Sequence, residues 1–356
     1  MKIGLIGLPY SGKTTIFQAI IGQSVDLNHP SLQKNKYIPH IVEIQDERLN
    51  RLTAIFNPKK KVPATIEFVD FMGLSQKEDF KGFETTFLNG FKLMDGFVII
   101  LKGFEYQGEP SHPLRDLETI LSEFQISDQI IIENRLERLE AQIKKVSQPE
   151  LKEEKKALEN CLAEVERGNP LRDVELSDYE LKMLRGFQFL TLKPVVVVIN
   201  VDETQWQTHT DPVQYLNQEW LNRYPAMVIS GQIEKDIAMM EEEDSRDFKK
   251  DYGITEAATD KMIRASFDLL DRIVFFTVGE DEVRAWPIRR GDTAQRAAGA
   301  IHSDIERGFI RAEVIHYQDF MKAGSMSAAK EKGWWRLEGK EYPVKDGDII
   351  NFRFSV

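Results

Sequence analysis

Short apolar runs alternate with stretches of helical spacing along most of this chain. Residues 2–6, 41–44, 64–70, 96–101, 194–199 and 226–230 read as strands, and several are apolar on both faces, as parallel strands covered by helices are. Between them, residues 15–21 (Phe17, Ile20, Ile21) and 48–56 (Leu49, Leu52, Phe56) carry apolar positions at helical spacing, as do 114–124 and 255–270. This alternation predicts an α/β domain built on a mainly parallel sheet. Residues 23–40 are polar with few apolar anchors and predict a loop, and Lys59-Lys60-Lys61 predicts a second, solvated one.

Two stretches break the pattern. Ile132, Leu136, Leu139, Ile143 and Val146 are spaced 4-3-4-3, a coiled-coil seam. Pro149 interrupts it, Leu151, Leu158, Leu162 and Val165 form a second stripe, and Gly168-Asn169-Pro170 ends it. Residues 126–186 therefore predict an antiparallel helical hairpin inserted into a domain made of 1–125 and 187–272. From 273 to 356 the chain reads as a separate α+β module: two strands around Gly279, one helix over 293–305, then short strands at 309–316, 335–337 and 349–354.

The first loop carries chemistry. Gly7-Leu8-Pro9-Tyr10-Ser11-Gly12-Lys13-Thr14 is a complete G-x-x-x-x-G-K-T phosphate-binding motif, set between a strand and a helix as its chemistry requires. Its glycines let backbone N–H groups turn onto phosphates, and the helix N-terminus adds positive potential. Gly7, Pro9, Tyr10, Ser11, Gly12, Lys13, Thr14 and Thr15 are the candidate phosphate contacts, with Lys13 reaching the β- and γ-phosphates and Thr14 binding Mg²⁺. Asp70 ends an apolar strand and opens D-x-x-G with Gly73; the carboxylate suits the Mg²⁺ side and the Gly73 N–H a γ-phosphate. Leu74 follows, where a water-orienting glutamine often stands, and leucine cannot polarise water. No catalytic residue is assigned. Asn200-Val201-Asp202-Glu203 ends another apolar strand, where Asn200 and Glu203 can read a base edge. The guanine-reading motif is N-K-x-D; a glutamate is one methylene too long for that bidentate contact, so the motif leans towards ATP or towards weak discrimination from GTP. Ser230 and Gly231 fall where a further base-contacting loop would lie.

Composition narrows the setting. The formal net charge is −11, which disfavours a dominant nucleic-acid role and any DNA partner. Residues 273–356 hold 13 Lys+Arg and 13 Asp+Glu, so that module carries none of the acidic excess. There Arg307 and Arg311 flank Phe309, a composition open to RNA or protein. One cysteine, Cys161, excludes an internal disulfide and fits a reducing compartment. No apolar run approaches spanning length and the N-terminus reads as a strand, so a soluble cytoplasmic protein without a membrane partner is expected.

Taken together, the phosphate loop, residues 63–70, Asn200-Val201-Asp202-Glu203, Glu282-Val283-Arg284-Ala285-Trp286, residues 305–315 and Trp335-Arg336-Leu337-Glu338-Gly339-Lys340 resemble the YchF-type Obg-like ATPase family over the whole chain. The resemblance implies a Ras-like nucleotide domain, an inserted helical hairpin and a C-terminal TGS domain of ubiquitin-like fold. It further implies ATP binding at least as good as GTP binding, slow hydrolysis, Mg²⁺, and association with ribosomes through ribosomal RNA or protein. A nucleotide-gated binding module with little turnover, or a GTPase, are the alternatives. The chain departs from the family in places. Tyr10 and Ser11 stand where the family has Asn-Val, its switch-one T-I-E-P-N is missing between Gly22 and His40, and Lys81-Gly82-Phe83-Glu84 replaces a glycine-rich stretch. The loop before Pro113 is shortened, and His112 does not align with the histidine considered for catalysis there.

Overall fold

The computed structural model describes residues 1–22, 37–71, 82–146 and 148–355. In chain order its strands are β1 (Lys2–Ile6), β2 (Tyr37–Glu43), β3 (Lys60–Val62), β4 (Thr65–Phe71), β5 (Gly96–Lys102), β6 (Val195–Asn200), β7 (Ala226–Ile229), β8 (Arg272–Val278), β9 (Glu282–Arg289), β10 (Phe309–His316), β11 (Arg336–Glu338) and β12 (Asp348–Phe354). They form two six-stranded sheets, ordered β2-β4-β1-β5-β6-β7 and β11-β10-β12-β8-β9-β3. The chain divides into two compact units, Met1–His40 with Glu67–Met262 and Ile41–Ile66 with Ile263–Val356. Among the described residues no helix is long and apolar enough to cross a membrane.

In the first sheet β4, β1, β5, β6 and β7 run parallel to one another. Leu5 lies opposite both Asp70 and Val98, Lys102 opposite Asn200, and Asn200 opposite Ile229. The carboxyl ends of these strands therefore share one edge, where ligands of open α/β sheets bind. β5 and β6 are buried along nearly their whole length, which is why they read as unbroken apolar runs. One side of the core is aromatic: Phe71 and Phe91 meet edge-on at 4.7 Å, and Phe91 also meets Phe83, Phe97 and Phe124. Such pairs add about 0.5–1.5 kcal/mol each beyond the area they bury.

Ile132 to Ile143 of the predicted seam lie within one continuous helix, Pro113–Ile143, on which the helix Pro149–Glu166 packs, whereas Val146 falls beyond its end and is exposed. Ile132, Leu139, Leu158, Cys161 and Val165 are buried together there, and Arg135 grips Glu154 with two 2.7 Å hydrogen bonds. Burial pushes the Cys161 thiol up to about 11, so it packs as a neutral side chain. The root of the long helix is fixed by Asp128, which is fully buried and accepts from Leu190 N, Thr191 N and Thr191 Oγ1 at 2.7–2.8 Å. Nearby, Lys193 Nζ donates to the carbonyls of Phe91, Lys92 and Met94, capping the helix Thr85–Lys92.

The second sheet mixes parallel and antiparallel pairs. Phe275, Ile288, Ala312, Val314, Ile350 and Phe352 on one face pack with Ala294, Ala297 and Ala298 of the helix Ala294–Ile301. The helix expected over 293–305 is broken: His302 is extended (φ −163°), and its Nδ1 caps a new helix, Ser303–Arg307, by accepting from Asp304 N. Lys59-Lys60-Lys61 also differs from expectation. Lys60 and Lys61 belong to β3, which pairs in parallel with β9 at the sheet edge. Edge pairing uses backbone groups and leaves lysine side chains in water, so polar side chains hid a strand. The same segment supplies the helix Glu47–Phe56, whose Phe56 stacks on Phe320 at 5.6 Å. Arg48 on it bonds Asp46 and Asp346, which outweigh its burial and raise its pKa.

Candidate functional site

The phosphate-binding motif occupies the turn between β1 and the helix Lys13–Ile21. Gly12 caps that helix at φ 81°, a left-handed conformation where any side chain is strained, and a Cβ there would lie 2.0 Å from Asn200 Nδ2. No side chain caps this helix, so its first N–H groups remain available to an anion. Ser11 and Lys13 are buried, whereas Thr14 is exposed at the helix start.

Lys13 Nζ is bound to the Asp70 carboxylate and donates to Phe71 O at 3.0 Å, so the cation and the β4 carboxylate meet at the mouth of the loop. Burial pulls the Lys13 ammonium down to about 7. The second oxygen of Asp70 and the Ser11 hydroxyl are buried without a partner among the described residues. A carboxylate oxygen without a partner among the described residues, at the same sheet edge as the exposed Thr14 hydroxyl, is the donor type that suits a hard divalent cation keeping waters and phosphate oxygens in its shell. Among the described residues no cluster of three His, Cys, Asp or Glu side chains forms a metal cage, so such an ion would depend on the phosphates for further ligands.

Asn200 ties the site together. Its Nδ2 donates to Ser11 O at 2.9 Å and its Oδ1 accepts from Gly231 N at 2.9 Å. One buried amide thus joins the phosphate loop, β6 and the start of the helix Gly231–Met239. Glu203 is exposed at the first position of the helix Glu203–Trp206, after Asp202, which caps it. Ser230 is buried, and its hydroxyl has no partner among the described residues. The structure therefore brings Gly7 to Thr15, Asp70, Asn200, Ser230 and Gly231 to one sheet edge, with Glu203 three residues beyond it. Gly73, Leu74 and the span 23–36 lie outside the described residues.

These residues form a candidate phosphate site, and the chain carrying them has close counterparts among known proteins. Over its full length the chain is 36% identical to "Ribosome-binding ATPase YchF" of Bacillus subtilis, covering 100% of both proteins, and 37% identical to the Haemophilus ducreyi protein of the same name. The chain belongs to the YchF family. The resemblance read from its motifs is thus borne out. The family model YchF-GTPase_C, described as "Protein of unknown function (DUF933)", matches residues 272–355. "Obg-like ATPase 1" of Oryza sativa subsp. japonica is 35% identical to 100% of this YchF-family chain and 92% of its own length. The Schizosaccharomyces pombe YchF GTPase structure superposes with TM-score 0.86 at 28% identity, covering 99% of this chain and 97% of that one. A GTP-binding protein from Pyrococcus horikoshii shares the fold at TM-score 0.61 and 16% identity.

Two features of this family member were not legible beforehand. Asn200 was read as a base contact, and its bonds to the phosphate loop were not anticipated. Arg307 is paired with Asp304, Phe309 packs edge-on against Phe352 at 6.1 Å, and Glu313 bonds Arg353 and Asn351. Arg307, Ile310 and Arg311 of that stretch are exposed.

Proposed function

We propose that this chain is a nucleotide-dependent switch that binds ATP, and GTP less selectively, with Mg²⁺, hydrolyses it slowly, and associates with ribosomes in the cytoplasm. The observation carrying the reading is the convergence of the phosphate loop, Lys13, Asp70 and Asn200 on one sheet edge. In this reading residues 1–125 and 187–272 form a Ras-like nucleotide domain, 126–186 an inserted helical hairpin and 273–356 a TGS domain. The names of the ribosome-binding relatives support the partner.

The loop N–H groups and Lys13 bind and orient the β- and γ-phosphates, while Thr14 and Asp70 would hold Mg²⁺, which would supply positive charge against the phosphate oxygens. Asn200, Glu203, Ser230 and Gly231 face the base. Leu74 supports a second reading, a nucleotide-gated module with little turnover, because it offers no group to orient water. Calorimetric affinities for ATP and GTP, followed by single-turnover hydrolysis with and without ribosomes, decide between them. Tight ATP binding with ribosome-stimulated hydrolysis is expected; tight binding with no turnover in either condition selects the second reading, and no triphosphate binding refutes both.

A further inference from the structure

Two residues of the phosphate loop have left-handed backbones, Gly12 at φ 81° and Tyr10 at φ 64°. Glycine adopts that conformation freely; tyrosine is strained in it. Strain of this kind persists where neighbouring structure holds it. The ring of Tyr10 stacks on that of Tyr106, with centroids 4.7 Å and planes 22° apart. Tyr106 comes from the loop after β5 and is presented by a two-residue turn. Its N donates to Glu109 O at 3.1 Å, and Glu109 N donates back to its O at 3.0 Å. Between them Gln107 and Gly108 have φ 53° and 81°, the double positive φ of a type I′ turn. The stack is not a by-product of core packing. Tyr10 is 41% exposed, and beside the pair lies a cleft of about 540 Å³ lined by Leu8, Pro9, Lys102, His112 and Asp116 among others.

We propose that Tyr106 is a positioning residue for the triphosphate: by stacking on Tyr10 it holds the phosphate loop in the conformation that aims its N–H groups at one point. The inference rests on the nucleotide-binding reading above. Adjacent loop residues are then pinned by separate elements, Ser11 by Asn200 at the end of β6 and Tyr10 by the turn after β5. Neither ring has to touch the ligand. The shortened loop before Pro113 thus has a task of its own in this chain.

The test is a double-mutant cycle on the full chain. Tyr106→Ala is expected to weaken ATP binding roughly tenfold by calorimetry. Tyr106→Phe keeps the ring and should bind as the parent does. Tyr10→Gly removes strain and stack together, so in that background Tyr106→Ala should cost nothing more. A role in packing alone would not produce that cancellation in affinity. The parent, both single variants and the double variant are also unfolded in urea without nucleotide, where the same cancellation in midpoint is expected. The proposal is overturned if Tyr106→Ala weakens ATP binding equally in both backgrounds, or leaves it unchanged while the parent binds ATP. A parent that binds no triphosphate refutes the nucleotide reading instead, and additive urea midpoints would then reject the brace independently.

Discussion

Replacing Asn200 by alanine tests how the site is assembled. The side chain is 5% exposed and makes two hydrogen bonds of 2.9 Å, to Ser11 O and from Gly231 N. Alanine removes both and leaves a buried carbonyl and a buried N–H facing a small void. Each lost bond is worth about 1 kcal/mol, and each stranded buried group costs about 1–3 kcal/mol if water cannot reach it. Water reaching a void this close to an open site relieves part of that, so we expect a loss of about 2–4 kcal/mol. Asn200→Asp should be worse, because it places a buried carboxylate oxygen against the Ser11 carbonyl. Urea unfolding without nucleotide measures the stability loss, and ATP titration measures the phosphate loop, which should bind at least tenfold more weakly once untied. A variant within about 0.5 kcal/mol of the parent, with unchanged ATP affinity, would refute the assignment of Asn200 as the tie.

Three further outcomes follow. Lys13→Ala should abolish tight triphosphate binding, since it removes charge-assisted bonds worth about 1.5–3 kcal/mol each; unchanged affinity by calorimetry would sink the assignment of the loop. Glu203→Asp should move preference towards GTP by restoring the shorter carboxylate, and a fixed ATP to GTP affinity ratio would show that other contacts choose the base. Asp128 predicts a pH effect on stability. Burial lifts its carboxyl to about 6, against the hydrogen bonds from Thr191 and Leu190 that favour the anion. The fold therefore holds this proton more tightly than the unfolded chain, whose value is about 3.9. Its contribution falls as pH rises from about 4 to 6, by roughly 2–3 kcal/mol at most. Asp128→Asn should flatten that part of the urea-midpoint profile, and an identical slope in both proteins would contradict it.

The nucleotide-binding edge was legible because its chemistry is local. A phosphate loop is one contiguous motif, and Asp70 and Asn200 each end an apolar run that only a buried strand explains. What the sequence concealed depends on distant partners. Nothing about Lys60 and Lys61 advertises a strand until β9 is beside them. Asn200 reads as a ligand contact, and only the structure shows that its amide also bonds the Ser11 carbonyl. Tyr10 read as a departure from the family pattern, and its meaning appears only with Tyr106 stacked on it. His302 broke an expected helix because its side chain can cap the next one, a competition that helical spacing does not register.

The pairing of β3 with β9 also sets an order of events during synthesis. Lys59 and Asp281, the ion pair at that junction, are 222 residues apart. At about 5–20 residues per second, a ribosome needs roughly 10–40 s to make the partner of a segment that has already emerged. Through that interval Leu49 and Leu52, buried in the finished unit, lack the strands they will cover. The first unit is interrupted by this waiting segment, so its opening stretch and its β4 are joined by chain that cannot yet be placed. Until β9 is complete, that segment is therefore apolar chain without the strands it packs on in the finished protein.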